Sequence, residues 1–238
     1  MPSELDDIQA SIRELEASLP GAPAEMRGLV EQQIQALRDS AALLARVQPQ
    51  IDANAALRPQ LSPELAAWFR PEPPAPVPCW IPDDTPRSAI TDAWMHPAPG
   101  VNVYSTEDCV GCAVPQGPGS VPIRHGLELH FYLSTGRLES QRFYEMGLLR
   151  WAVEYHVTGG RSLVAFYAAT ERLSYPEHGL VTRYAPNGTV TSQQHYDRGV
   201  LHGWGKHWES DGFPIAGTLY DGGRSVEIVL PDGSRRPG

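Results

Sequence analysis

Two cysteines separated by two residues, in the segment EDCVGCAV, form the most conspicuous chemical motif of the chain. Thiolates at this spacing can bind one metal ion or act as a redox pair. A tetrahedral zinc site on Cys109 and Cys112 needs two more ligands, for which the sequence offers Cys79 together with His96 or His125. The βαβ context of thioredoxin-like redox motifs is absent. A single CxxC is weak evidence, so we favour ordinary reduced loop cysteines and expect no cofactor; zinc and redox chemistry are the alternatives.

The histidines are better explained by a repeat than by catalysis. His125, His178 and His202 each directly precede a glycine that recurs along the chain. A second group combines histidines and aromatic residues in a patch for which we favour packing over a site: His195, Tyr196, His207 and Trp208. No Ser-His-Asp order, phosphate-binding glycine loop or paired-carboxylate motif accompanies them. The sequence therefore predicts a protein without enzymatic activity.

The elements that position these residues come from an internal repeat. HGLVTRYAPNGTVTSQQHYDRG (178–199) and HGWGKHWESDGFPIAGTLYDGG (202–223) align without a gap, and HGLELHFYLSTGRLESQRFYEMG (125–147) aligns with one extra residue. Residues 151–167 form a fourth, less regular unit without the closing glycine. Self-similarity at a fixed period indicates a repeat architecture.

Each unit predicts a β-hairpin. In residues 125–147, apolar and polar residues alternate with the period of a half-buried strand. Asn-Gly and Asp-Gly at the centres of two units are strong signals for tight hairpin turns. A lone hairpin cannot bury a core, so the units must pair. We predict four to five hairpins in one twisted antiparallel sheet over residues 121–233, with one face carrying the repeated tyrosines: Tyr144, Tyr167, Tyr196 and Tyr220.

This pattern of spaced glycine, aromatic residue, Asn-Gly or Asp-Gly, tyrosine and closing glycine resembles MORN-type repeats, in particular the divergent bacterial class that includes antitoxin-like proteins. The resemblance covers about half of the chain. It implies a non-enzymatic surface that binds another protein or, in some relatives, a membrane. It supplies no catalytic residue to carry over.

Charge is unevenly distributed. The formal net charge is −9, and it belongs to residues 1–119, because acidic and basic residues balance in 120–238. An acidic front half argues against nucleic acid and anionic membranes as partners, since both need a basic footprint. The acidic N-terminus and the lack of a long apolar run predict a soluble, cytoplasmic protein.

The front half predicts helices. Apolar residues recur at spacings of three and four over residues 3–19 and again from Ala24 to about Val47, with Pro-Gly-Ala-Pro between them. These two amphipathic helices predict an antiparallel helical hairpin. Its stripes either pack only on each other or also serve as a docking or dimerisation seam. A short third helix is expected from Ser62, with Pro63 at its first position.

The segment PEPPAPVPCWIPDDTPRS (71–88) separates the two halves. Proline at this density predicts a semi-rigid extended linker. A recognition strip, or an exposed cleavage site at Arg70 or Arg87, is the alternative. The predicted fold is α+β, with helices in 1–70, a Pro/Gly-rich linker with the CxxC in 71–120, and a β-hairpin repeat sheet in 121–238.

The predicted function is a non-enzymatic module that binds another protein. Aromatic anchors dominate protein interfaces, and the candidates on the sheet are Trp151, Tyr184, Trp204 and Trp208. The resemblance implies inhibition of an effector enzyme or toxin, with cleavage of the linker as a means of release. The alternatives are a self-assembling or membrane-associated scaffold, with self-association through the N-terminal helices, and a small zinc or redox protein built on the CxxC.

Overall fold

The computed structural model of the protein describes residues 4–21, 24–56, 58–74, 76–77, 81–83, 85–90, 99–168 and 176–238. In these residues, helices at the N-terminal end precede a large antiparallel sheet, which confirms the α+β prediction. The chain divides into two compact units, Met1–Gln60 and Leu61–Gly238. None of the described helices combines the length and apolarity needed to cross a bilayer.

The first unit is the predicted helical hairpin. Helix α1 spans Glu4–Ser18, a 3₁₀ turn covers Leu19–Gly21, and α2 spans Ala24–Ala56. The second helix is longer than the spacing predicts, because it continues through Pro49. Ile34 is buried, and Arg38 pairs with Glu16 at 2.6 Å. The apolar stripes therefore pack on each other, as predicted.

The second unit begins with α3, Pro63–Trp68, which Ser62 caps by accepting the Leu65 N–H. A 3₁₀ turn at Arg87–Ala89 follows. The described strands then form one antiparallel sheet whose order follows the chain, except that β9 pairs only with β8. They are β1 Asn102–Ser105, β2 Cys109–Val114, β3 Ile123–Phe131, β4 Leu138–Glu145, β5 Leu148–Tyr155, β6 Arg161–Phe166, β7 Gly179–Tyr184, β8 Val190–Asp197, β9 Val200–Leu201, β10 Gly203–Trp208, β11 Pro214–Asp221, β12 Arg224–Val229 and β13 Arg235–Pro237.

The hairpin prediction is confirmed unit by unit. β3 pairs with β4, β7 with β8, and β10 with β11, each around the glycine that the repeat places at the turn. The sheet starts earlier than predicted, at Asn102, so β1 and β2 occupy part of the predicted linker.

The closing glycine has one structural task in each regular unit. The Gly199 N–H donates to the Glu177 carbonyl at 2.7 Å, and Gly147 and Gly223 make the same contact with Arg124 and Leu201. Arg198 and Gly199 both have positive φ, 49° and 85°, as a two-residue turn between twisted strands requires. The glycine spacing of the sequence is therefore explained by backbone geometry.

The repeated histidines support the same turn. His125 Nδ1 accepts the Met146 N–H at 3.1 Å, and His178 Nδ1 accepts the Arg198 N–H at 3.4 Å. Both donors are the residues that directly precede a closing glycine. The structural interpretation of these two histidines is confirmed.

The main core lies on one face of the sheet, here called the core face. Leu129 of β3 pairs with Gln141 of β4, Gln141 pairs with Val153 of β5, and Val153 pairs with Val164 of β6. All four side chains are nearly inaccessible to solvent. Ile81 and Ile90, from the proline-rich part of the chain, are buried in the same cluster. Strand alternation puts Leu163 and Ala165 on the opposite face, where they pack with two of the repeated tyrosines, Tyr167 and Tyr196.

The described residues between Trp68 and Ile90 (68–74, 76–77, 81–83 and 85–90), here called the crossing segment, lie across the core face. Trp68 sits over Gly217 of β11, the backbone of Glu72 binds Gln193 of β8, and the backbone of Ile81 binds Gln141 of β4. The three sheet positions are equivalent, each three residues before a repeated tyrosine. The described part of the proline-rich region is thus packed against the sheet where the sequence suggested a spacer, because the buried amides of Gln141 and Gln193 and the apolar core residues hold it.

Candidate functional site

One cluster of titratable side chains bridges β2 and β3. Cys109 lies directly opposite His130, and Glu128 is two residues before His130 on the same face of β3. The Cys109 sulfur is 3.9 Å from His130 Nε2, which is 3.0 Å from Glu128 Oε1. These three ligand atoms all lie within 4.8 Å of one another. Strand pairing and alternation alone bring them together.

The edge strand β1 supplies a fourth side chain. Tyr104 pairs with Gly111, and its ring passes over that glycine to donate a hydrogen bond to Glu128 Oε2. A Cβ at position 111 would overlap the tyrosine ring, so the glycine is needed for this close approach. Arg124 Nε lies 3.1 Å from the same Oε2 atom. The carboxylate therefore uses Oε2 for Tyr104 and Arg124, and Oε1 for His130.

The electrostatics favour an ionised pair of Glu128 and His130. Burial acts to raise the pKa of Glu128, but the hydrogen bonds from His130 and Tyr104 and the charge of Arg124 outweigh it and lower that pKa. Hydrogen bonds with the Cys109 sulfur and the Glu128 carboxylate raise the pKa of His130 to about 9. Burial raises the pKa of Tyr104, which stays a neutral donor. Glu128, only 2 % exposed, is thus a fully partnered buried anion.

This arrangement differs from a cysteine–histidine–acid relay. In such a relay one ring nitrogen takes the thiol proton while the other nitrogen donates to the acid. Here both contacts of His130 use Nε2, so one atom cannot serve the two roles at once. Convergence of sulfur, nitrogen and oxygen on a common point is instead the arrangement of metal ligands.

The two cysteines of the CxxC motif belong to different side-chain clusters in the structure. Both lie in strand β2, where the sequence suggested a loop, and a bulge falls between Gly111 and Ala113. Cys112 is 2 % exposed in the apolar cluster of the core face, away from the group that holds Cys109.

Of the other predicted zinc ligands, the structure describes only His125. Cys79 and His96 lie outside the described residues. His125 contacts the Met146 backbone instead. Sequence reasoning missed Glu128 and His130, although two chelating residues at i and i+2 of a predicted strand were a usable signal.

The predicted partner anchors separate into buried and accessible side chains. Trp151 is 2 % exposed and stacks on Phe143, and Trp208 is 3 % exposed and donates from Nε1 to the Phe69 carbonyl at 2.9 Å. These two are core residues, which corrects their assignment as surface anchors. Tyr184 is half-buried against the core-face cluster.

Trp204 remains accessible in an open groove of about 300 Å³ at the C-terminal part of the core face. Its ring meets Trp68 edge-on at 4.9 Å. The Lys206 ammonium lies 4.8 Å from the Trp68 ring centroid and donates to the Trp68 carbonyl. His195, His202 and Glu72 complete the lining, so the groove combines an aromatic wall with polar and charged groups.

The two predicted cleavage positions differ in exposure. Arg70 is exposed in the crossing segment, two residues after the end of α3. Arg87 is half-buried: its backbone N–H donates to Gly136, its guanidinium bonds Ser105 Oγ at 2.6 Å, and it lies over the Phe131 ring. The expectation of an exposed site at Arg87 is therefore corrected, because that residue is packed on the sheet.

Comparisons with known proteins identify no family. No family model matches the chain, and no curated protein matches it. Among solved structures, a glycosylation-associated protein (Gap123) complex from Streptococcus agalactiae is 13 % identical with a TM-score of 0.25, covering 59 % of this chain and 20 % of the other. A GtfA/B complex is 11 % identical with a TM-score of 0.21, covering 58 % and 19 %. This chain thus spans about a fifth of the matched chains, and likeness at this level supports neither a fold nor a function.

Proposed function

We propose that this chain is a non-enzymatic binding module whose sheet holds an extended segment of another protein. The observation that carries the proposal is that the core face already holds such a segment of its own chain. Gln193 Nε2 donates to the Glu72 carbonyl at 2.7 Å, and its Oε1 accepts the Glu72 N–H at 2.8 Å. Gln141 makes the same pair of bonds with Ile81.

Side-chain amides of this kind suit extended backbone. A proline-rich or other extended segment has no internal hydrogen bonds, so its N–H and C=O groups are available to a receptor. Glutamine offers one donor group and one acceptor on the same side chain and so satisfies both. Two of the three equivalent repeat positions carry such a glutamine, Gln141 and Gln193, and this recurrence supports a role in holding extended chains.

The groove around Trp204 is the proposed contact for the partner. A half-buried tryptophan beside a second aromatic ring is the kind of anchor that dominates binding energy at interfaces. Lys206 and Glu72 at the rim of the groove give polar partners of both signs. Tyr184 is proposed as a secondary contact.

Inhibition of the partner is the finer part of the proposal and rests on the resemblance to antitoxin-like repeats. In that version the partner is an effector enzyme or toxin, and cleavage of the linker at the exposed Arg70 ends the inhibition. The scaffold alternative is favoured by a different observation, the exposure of Leu29 (59 %) and Leu43 (61 %) on α2. Apolar side chains exposed on a helix can form a self-association seam.

Affinity capture with the tagged full-length chain tests the proposal. The wild-type protein, a Trp204→Ala variant and a Val226→Ala control are incubated with extract of the native cell; Val226 is apolar and 48 % exposed. We expect one stoichiometric partner that Val226→Ala retains and Trp204→Ala loses, and assay of that partner with and without this chain tests inhibition. Capture of the chain alone would contradict the proposal and favour the scaffold. Equal capture by both variants would place the contact elsewhere.

A further inference from the structure

The cluster of Cys109, Glu128 and His130 has the composition of a transition-metal site. Its three side chains offer a thiolate sulfur, an imidazole nitrogen and a carboxylate oxygen from two paired strands. Sulfur and imidazole ligands select zinc over magnesium or calcium, which prefer oxygen. With a thiolate and a carboxylate, the ligand charge balances a divalent ion while the imidazole stays neutral.

The distances fit one ion. In a tetrahedral zinc site, bonds of about 2.3 Å to sulfur and 2.0 Å to nitrogen or oxygen put a sulfur and a nitrogen ligand roughly 3.5 Å apart, and nitrogen and oxygen roughly 3.3 Å apart. The separations here are 3.9 Å for Cys109 Sγ to His130 Nε2 and 3.0 Å for His130 Nε2 to Glu128 Oε1. The Cys109 sulfur and the Glu128 oxygen lie at most 4.8 Å apart, so side-chain rotations that shorten this separation would bring all three atoms to ligand positions.

The surroundings hold the carboxylate in the orientation that a metal needs. Tyr104 and Arg124 both bind Glu128 Oε2, which leaves Oε1 to contact His130. Partners of this kind, which fix a ligand without touching the ion, commonly tune metal affinity. Glu128 is 2 % exposed, whereas the His130 side chain is 23 % exposed, so the cluster opens towards solvent at the histidine.

We propose that Cys109, Glu128 and His130 bind one zinc ion, with water as the fourth ligand. Binding breaks the His130–Glu128 hydrogen bond and forms zinc–sulfur, zinc–nitrogen and zinc–oxygen bonds. The protons of the Cys109 thiol and of the imidazolium pass to solvent. Zinc here cross-links β2 to β3 close to the edge of the sheet, and Cys112 takes no part.

The test uses the full-length chain, stripped with a chelator and titrated with zinc by calorimetry and with Co²⁺ by absorption spectroscopy. We expect one equivalent of metal and a thiolate-to-cobalt charge-transfer band. Cys109→Ala abolishes the band and stoichiometric binding, whereas Cys112→Ala, the matched control, retains both. Tyr104→Phe weakens binding about 10-fold, as loss of a supporting hydrogen bond does.

Opposite results overturn the proposal. The proposal is wrong if the wild-type chain binds no stoichiometric metal. It is also wrong if the thiolate-to-cobalt band survives in Cys109→Ala or disappears in a folded Cys112→Ala. Circular dichroism of each variant verifies folding. If Cys109→Ala fails to fold, His130→Gln takes its place: we expect it to lose stoichiometric metal, and tight binding that persists in this variant refutes the site.

Discussion

Replacing Gln141 with leucine tests what holds the crossing segment on the sheet. Gln141 is fully buried, its Nε2 donates to the Ile81 carbonyl and the Tyr155 hydroxyl at 2.7 Å each, and its Oε1 accepts the Ile81 N–H at 3.2 Å. Leucine has a similar size but makes none of these bonds. The substitution therefore removes three hydrogen bonds with little change in packing volume.

The expected loss of stability follows from the burial of the hydrogen bonds that Gln141 makes. Each hydrogen bond contributes about 1 kcal/mol, and a buried group left without a partner costs about 1–3 kcal/mol more. Ile81 is 3 % exposed, so water does not readily replace the amide. We therefore expect the free energy of unfolding to fall by about 4–6 kcal/mol. Gln193→Leu costs less, about 1–2 kcal/mol, because the exposed Glu72 backbone regains water.

Urea unfolding followed by tryptophan fluorescence measures this change. All six tryptophans lie in the unit Leu61–Gly238, so the signal reports the sheet and not the helical hairpin. Trypsin gives a second readout, because release of the crossing segment exposes the Arg87–Ser88 bond, which mass spectrometry identifies. Gln116→Leu is the control, since Gln116 is exposed and its loss should change stability by less than about 0.5 kcal/mol. A loss below about 1 kcal/mol for Gln141→Leu, with Arg87 still protected, would refute the reasoning.

Two further predictions concern glycines that an aromatic ring approaches closely, and a third concerns the titration of His207. Gly111→Ala should destabilise the sheet by about 1–3 kcal/mol, because the new methyl group displaces the Tyr104 ring from Glu128. Gly217→Ala should do the same on the core face, where the Trp68 ring covers the glycine, and should quench or shift Trp68 fluorescence. Burial lowers the pKa of His207 from 6.5, so the unfolded chain binds the proton more readily, and stability should fall as the pH drops below 6.5; His207→Gln should flatten that dependence in urea titrations.

Each of these has a control. Gly117→Ala is the matched substitution, because a Cβ there meets no atom within 4 Å, and it should leave stability unchanged. Equal effects of Gly117→Ala and Gly111→Ala would mean that backbone freedom, and not the tyrosine contact, decides the loss. Unchanged pH dependence in His207→Gln would assign the acid sensitivity to another group.

Local signals in the sequence predicted the hairpins because their causes are local. Asn187-Gly188 and Asp211-Gly212 form the turns that their residue types favour, and Gly188 and Gly212 have φ of 81° and 88°. The helix start at Ser62 and Pro63 is equally local and equally confirmed. Local signals could not predict which of the proposed anchors is buried. Trp151 and Trp204 both follow a repeat glycine or strand residue without a distinguishing mark, and they differ only in what covers them in the fold.

The candidate metal cluster shows why spacing along the chain misled. The spacing of two residues suggests Cys109 and Cys112 as a pair of ligands, which is the alternative to ordinary reduced cysteines and is informative in a tight loop. In a sheet, the side chain closest to a given residue on the same face lies directly opposite it on the neighbouring strand. For Cys109 that residue is His130. The register between β2 and β3 decides this contact, and no local pattern fixes that register, because it includes a bulge between Gly111 and Ala113.

The repeat constrains where a partner can bind. Equivalent positions in three units, Gln141, Gln193 and Gly217, are all occupied by the crossing segment, in the reverse order of the chain. A partner on the core face must therefore displace this segment or use the groove beside Trp204 that it leaves open. Displacement would expose Ile81 and Ile90, whose burial contributes about 1.5–3 kcal/mol each, in addition to the glutamine hydrogen bonds. Binding in the open groove carries no such cost, which is the physical reason for proposing Trp204 as the contact.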